Sequence, residues 1–217
     1  MTRPDIDISS TTEQRIKMSY TEFLAYVDED AHAEWVDGEA LIFMPPKTRH
    51  QLLVNFFQRI LAQYAELVGA GVVITAPFEM KLRPDGNSRE PDMLFVATEH
   101  LARLTDERLA GPADIVVEVV SPSSVQRDYA DKFLEYQQAG VREYWIIDPR
   151  EGVQQVYGYT LAAEGHYQPI AADAEGRSAS TVLAGFWLRP AWLWQESAPT
   201  VFDVMMEMAP HALRSTR

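Results

Sequence analysis

Apolar residues recur at Leu52, Leu53, Phe56, Phe57, Ile60, Leu61, Tyr64 and Leu67, the i, i+3, i+4 spacing of one helix face, so residues 48–68 read as a long amphipathic helix. Gly69 and Gly71 stop it. Upstream, residues 1–18 are polar without sustained periodicity and read as a flexible arm. Ser19-Tyr20-Thr21-Glu22 then carries the Ser-x-x-Glu capping pattern ahead of Phe23, Leu24, Tyr26 and Val27, which predicts a short helix. Residues 34–44 read as a hairpin turning at Asp37-Gly38 and ended by Pro45-Pro46. Beyond the long helix, strands are expected at 72–82, 91–96 and 114–120. The connection 97–113 is too long for a tight turn, and Leu101, Leu104 and Leu109 suggest a helical excursion within it.

Ser121-Pro122-Ser123-Ser124 ends the third of these strands and offers an N-cap for a helix running to about Ala139, with Tyr129, Phe133 and Tyr136 as its buried stripe. Residues 141–148 contain Tyr144-Trp145-Ile146-Ile147, a run suited to a strand covered on both faces. Residues 153–159 and 166–170 read as a following hairpin. The aromatic stretch 186–194 is suited to covering a core edge or a partner. The expected organisation is an arm at 1–18, one domain at 19–195 and a C-terminal extension at 196–217.

Composition narrows the chemistry. The chain has no cysteine, which removes disulfides, thiol catalysis and cysteine-ligated zinc. Its net charge of -13 disfavours broad attraction to phosphate backbones or anionic membranes, while leaving room for a local basic patch. No stretch approaches the ~20 apolar residues of a membrane span, and the first residues lack a signal-peptide apolar region, so a cytoplasmic protein is expected.

Counting brings two carboxylates face to face. If strands 91–96 and 114–120 pair antiparallel with Val96 opposite Asp114, Asp92 falls opposite Glu118 on the same face. Two acids set among Val, Ile, Leu and Phe are unfavourable unless a proton or cation intervenes, which points to a divalent metal. Three strand residues from Ser121 back to Glu118 cover ~10 Å. Eight helix residues from Ser124 to Lys132 cover ~12 Å. A helix folded back along its strand therefore brings Lys132 level with Glu118. Mg²⁺ or Mn²⁺ held by oxygen ligands, with a lysine beside it, suits phosphodiester hydrolysis. Lys132 has a plain alternative as the i+4 partner of Asp128 in a surface ion pair. Glu34 reads equally as a hairpin charge and His50 as an ordinary histidine at a helix start. Lys47, Arg49, Arg59, Arg89, Arg103 and Arg127 are candidates to flank a cleft.

Several segments together carry a resemblance. They are Glu34-Trp35-Val36-Asp37-Gly38-Glu39, His50, Arg89-Glu90-Pro91-Asp92, the run 114–123, Asp128 with Lys132, and the run 139–149. The chain resembles the Uma-two family of putative restriction endonucleases, within the PD-(D/E)XK nuclease superfamily, over about residues 18–195. The superfamily's usual lysine, two residues after the Glu, is Val120 here; Lys132 matches the family's helical lysine. The resemblance implies a restriction-endonuclease-like α/β fold, a mixed sheet flanked by helices. It also implies metal binding by Asp92, Glu118 and the main-chain carbonyl of Val119, with Glu34 and His50 lining the same cleft. DNA is the implied substrate, and a homodimer is expected, because cutting both strands calls for two sites. Two other classes stay open: a nuclease-like module that binds nucleic acid or a partner without turnover, and a retaining glycosidase with carboxylates about 5 to 5.5 Å apart.

Overall fold

The computed structural model describes residues 13–27 and 32–210. In chain order the elements are β1 (Glu13–Lys17), α1 (Tyr20–Tyr26), β2 (Ala33–Val36), β3 (Glu39–Phe43), α2 (Thr48–Val68), β4 (Gly71–Thr75), β5 (Glu79–Lys81), β6 (Ser88–Arg89), β7 (Met93–Ala97), β8 (Arg108–Ala110) and β9 (Ile115–Val119). They continue with α3 (Lys132–Ala139), β10 (Glu143–Asp148), β11 (Gln155–Leu161), β12 (Tyr167–Pro169), β13 (Ser178–Ala179), β14 (Trp187–Leu188) and α4 (Val201–Met208). A 3₁₀ segment, Thr98–Arg103, lies in the connection after β7, where the leucine spacing predicts a helical excursion.

Local chemistry accounts for the early elements. Ser19 and Glu22 form the reciprocal capping box at the start of α1. Asp37 and Gly38 turn the β2–β3 hairpin with φ of 49° and 85°, the left-handed pair that such a two-residue turn requires. The stripe on α2 is buried through Leu53, Phe57, Ile60, Leu61 and Tyr64, and Gly69 ends the helix in the left-handed conformation at φ 66°.

The central sheet has the order β12-β11-β10-β9-β7-β4. Only β9 and β10 run parallel; the other pairs are antiparallel. Alternation along its strands splits the core. Met93, Phe95, Ile115, Val117 and Val119 pack towards α2, with Val204 and Met205 of α4 joining the same layer. Leu94, Val96, Val116, Val120 and Ile146 face the other way, towards Tyr136 of α3. The sheet is mixed and has helices on both faces, as expected. The aromatic stretch lies in the first layer through Phe186, Leu188 and Trp192.

A second six-stranded sheet, β1-β3-β2-β6-β5-β8, is absent from the sequence-based picture. The stretch 72–82, expected as one strand, divides between the two sheets. Pro77 has no N–H to donate to a ladder, so β4 stops before it and β5 pairs elsewhere. The expected arm also contributes structure. Residues 1–12 lie outside the described residues, whereas Glu13–Lys17 pair along β3, and Glu13 meets Arg127 at 2.7 Å. Their polar alternation suits a strand exposed on one side, which periodicity over so few residues does not distinguish from a loop. Among the described residues no helix is long and apolar enough to cross a membrane.

Candidate active site

The β7–β9 register has Met93 opposite Val117, Leu94 opposite Val116 and Phe95 opposite Ile115. That is the register expected from the sequence, and one step further it carries Asp92 to Glu118. Both strands present these acids on the α3 face, in phase with Leu94, Val96, Val116 and Val120. Asp92 Oδ2 accepts from the main-chain N–H of Val119 at 2.7 Å and lies 3.2 Å from His50 Nε2. Burial works against a charged Asp92, but His50 and the Val119 N–H outweigh it and hold its carboxyl below the usual value. Burial likewise depresses His50, and Asp92 reverses this, leaving the imidazole easier to protonate than usual.

Glu118 is 3 % exposed. Its Oε1 accepts from Lys132 Nζ and from the Tyr136 hydroxyl, each at 2.8 Å. Lys132 Nζ also lies 2.9 Å from Glu34 Oε1. Burial alone would lower the lysine, but Glu118, Glu34 and Asp128 override it and keep the ammonium above its ordinary value. For Glu118, burial raises the carboxyl, Lys132 offsets only part, and Asp92, Asp128 and Glu34 push further the same way. Glu34 is the opposite case. Burial disfavours its charge, yet Lys132, Arg89 and Arg127 hold it well below the carboxylate range.

The helix that supplies the lysine is irregular. Residues Arg127–Asp131 form a π-turn, in which the Lys132 N–H reaches back five positions to the Arg127 carbonyl. The buried positions are Asp128, Lys132 and Tyr136, while Tyr129 and Phe133 are only half-buried. All three expected stripe residues pack in the same core layer, and Asp128 and Lys132 are buried beside them. Asp128 is pinned by Ser124 Oγ. Its main-chain carbonyl accepts from the Tyr144 hydroxyl at 2.9 Å.

Glu34 is itself held from the far side. Arg89 Nη1 donates to its Oε2 at 2.7 Å, and Arg89 Nε and Nη2 donate to the two oxygens of Glu135 at 2.8 and 2.6 Å. Arg89 is therefore buried in an ion network and does not flank the cleft. Arg59 and Arg103 are also absent from the cleft lining, whereas Lys47, Arg49 and Arg127 line it. The cleft is a cavity of about 540 Å³ with Glu34, His50, Asp92, Glu118, Val119 and Lys132 in its wall.

The structure thus brings Glu34, His50, Asp92, Glu118, Val119 and Lys132 together in one cleft. Lys132 is buried against Glu34 and Glu118, so the surface pair with Asp128 is not what the chain forms. Tyr136, Glu135 and Arg150 were not legible as neighbours of the site, whereas Asp128 was already paired with Lys132 in the sequence. One signal was present: Asp128, Lys132 and Tyr136 stand at i, i+4, i+8, a polar stripe on one face of an amphipathic helix.

A hard dication fits the donor set. With Oδ2 of Asp92 and Oε1 of Glu118 engaged, Oδ1 and Oε2 have no protein donor among the described residues, and both side chains line the cavity. Among the described residues no three His, Asp or Glu side chains cluster at ligating spacing. An ion here would take the two carboxylates, a main-chain oxygen and water, as Mg²⁺ commonly does.

A mixed sheet sandwiched by helices, with acids at strand ends and a helical lysine between them, is a restriction-endonuclease-like fold. The crystal structure of a putative nuclease belonging to DUF820 from Anabaena variabilis ATCC 29413 matches the chain with a TM-score of 0.63 at 16% identity, covering 80% of this chain and 96% of that one. The family model Uma2, described as putative restriction endonuclease, matches residues 20–191, and the chain belongs to that family. No curated protein matches it.

Proposed function

We propose that this protein is a divalent-cation-dependent nuclease that hydrolyses phosphodiester bonds in DNA. The observation that carries the reading is Glu118. One of its oxygens is fixed by Lys132 and Tyr136 while the other is left free in a cavity shared with the free oxygen of Asp92. Asp92, Glu118 and the Val119 carbonyl would hold Mg²⁺ or Mn²⁺. When bound, the ion supplies Lewis-acid stabilisation of phosphate charge and acidifies water.

The chain's own groups supply the rest. The Val119 N–H and His50 orient Asp92, and Tyr136 orients Glu118. Lys132 has three N–H donors, of which two face Glu34 and Glu118; the third is available to a water or to a phosphate oxygen at the cavity floor. Lys47 and Arg49 on the rim provide local positive charge that a net charge of -13 conceals.

Glu118→Gln is the direct test, read by Mg²⁺ and Mn²⁺ titration calorimetry and by cleavage of labelled DNA. The amide keeps the shape but loses the charge, and loss of both metal binding and cleavage is expected. Unchanged binding and cleavage would overturn the reading. DNA binding by the wild-type protein that persists in EDTA, with no cleavage on any substrate, would favour a module without turnover.

A further inference from the structure

The ion network around Glu34 closes a ring. Lys132 Nζ meets Glu34 Oε1 at 2.9 Å, and Glu34 Oε2 meets Arg89 Nη1 at 2.7 Å. Arg89 presents its other edge to Glu135 in a two-point contact, and Glu135 stands on α3 three residues beyond Lys132. The Asn87 side-chain amide also donates to Glu135 Oε1 at 3.1 Å. The ring joins β2 and β6 of the second sheet to the helix that bears the lysine. Three of its members are deeply buried, Arg89 at 2 % exposed, Glu34 at 0 % and Lys132 at 3 %, while the Glu135 side chain is 24 % exposed.

Charge balance explains why an arginine is needed there. A buried carboxylate with a single cationic neighbour takes that cation entirely, since leaving the charge unpaired is costly. Without Arg89, Lys132 would be the one cation left in direct contact with Glu34, with Arg127 acting only from a distance, and Glu34 would draw the ammonium away from Glu118. With Arg89 on Oε2, Glu34 is already neutralised, and Lys132 is shared between the two acids. A lysine could not do the same work, because the planar guanidinium spans Glu34 and Glu135 at once in fixed geometry.

We propose that Arg89, gripped by Glu135, is a positioning residue that satisfies Glu34 and so keeps the Lys132 ammonium at the cavity floor beside Glu118. It touches neither substrate nor metal and acts through Glu34. The inference rests on the reading of the site as a phosphodiesterase centre, and it assigns a role to two residues outside that centre.

The variant to measure is Glu135→Gln, which keeps shape and hydrogen bonding at a partly exposed position, with Arg89→Lys as the stronger perturbation. The expected result for Glu135→Gln is a fall in kcat for DNA cleavage of about tenfold, with KM and Mg²⁺ affinity within about twofold of wild type, as for a catalytic group displaced by a fraction of an ångström. Arg89→Lys should lose about a hundredfold in kcat with the same split. In a Lys132→Met background, Glu135→Gln should slow the reaction by less than about twofold, because what it positions is gone.

Unchanged kcat in Glu135→Gln, or KM and metal affinity moving as far as kcat, would overturn the proposal. If the wild-type protein cleaves nothing, the phosphodiesterase reading fails by itself, and the ring is judged by melting alone. Lys132 and Glu135 form no ion pair with each other, so transmission through Arg89 and Glu34 predicts that the melting shift of Glu135→Gln shrinks by more than about half once Lys132 is Met. Equal shifts in the two backgrounds would reject the ring.

Discussion

Replacing Lys132 by Met keeps most of the stem and removes the ammonium from between two buried acids. Nζ lies 2.9 Å from Glu34 and 2.8 Å from Glu118, and the lysine side chain is only 4 % exposed. Breaking a buried ion pair costs ~3–5 kcal/mol because a charge is left uncompensated. Two features favour the lower end. Glu34 retains Arg89 at 2.7 Å, and burial already raises Glu118, so it can neutralise itself by taking up a proton. A loss of about 3 kcal/mol corresponds to a Tm lower by ~6–12 °C for a chain of this size, read by differential scanning fluorimetry in EDTA at neutral pH.

Adding Mg²⁺ should then separate wild type from variant in an unexpected direction. The ammonium repels a dication seated on the same carboxylates. An ammonium and a dication ~4 Å apart at an effective dielectric near 20 repel by ~8 kcal/mol, so relief of even a sixth of that tightens metal binding about tenfold. Lys132→Met should therefore gain more Tm from Mg²⁺ than the wild-type protein does, while cutting DNA far more slowly. A variant that melts within about 2 °C of wild type in EDTA would refute the charge argument. So would a smaller Mg²⁺ shift in the variant than in the parent.

Other sites give independent outcomes. Glu143 accepts from Trp145 Nε1 at 2.6 Å and, through Oε2, from Ser180 Oγ and the Thr181 and Val182 N–H groups; Glu143→Ala strands these donors, costs about 3 kcal/mol and leaves Mg²⁺ affinity by calorimetry unchanged. Gly71 has φ 153°, and a Cβ there would lie 2.1 Å from the Val96 carbonyl oxygen, so Gly71→Ala forces β4 from β7 and costs about 2–3 kcal/mol, seen as a lower urea midpoint with unchanged slope. Burial opposes a charged Asp148, but hydrogen bonds from Arg150 and Tyr129 outweigh it and hold the carboxyl below its ordinary 3.8. A depressed carboxyl stabilises the fold above its unfolded value and loses that contribution as pH falls through the folded one, so the Tm gap between wild type and Arg150→Ala should close below about pH 4 in a pH series of melts.

Periodicity and spacing carried the local elements of this protein. The α2 stripe, the Ser19–Glu22 capping box and the Asp37–Gly38 turn are decided by residues within a few positions of one another, and each is in place. The β7–β9 register was also legible, because slipping it by one residue would move every apolar side chain of the pair to the wrong face. From that register the opposition of Asp92 to Glu118 follows. What sequence could not decide is where long charged side chains go. By local rules Lys132 belongs with Asp128 on a surface, and Arg89 is one scattered cation among several. Tertiary structure reverses both, since Arg89 meets Glu34 across 55 positions and Glu34 and Lys132 come from different layers. Pro77 sends β5 into a second sheet that supplies Glu34 and Arg89. A buried charge is stable only when its partners are already in place. Its position is therefore set by the assembled fold rather than by its neighbours in the chain.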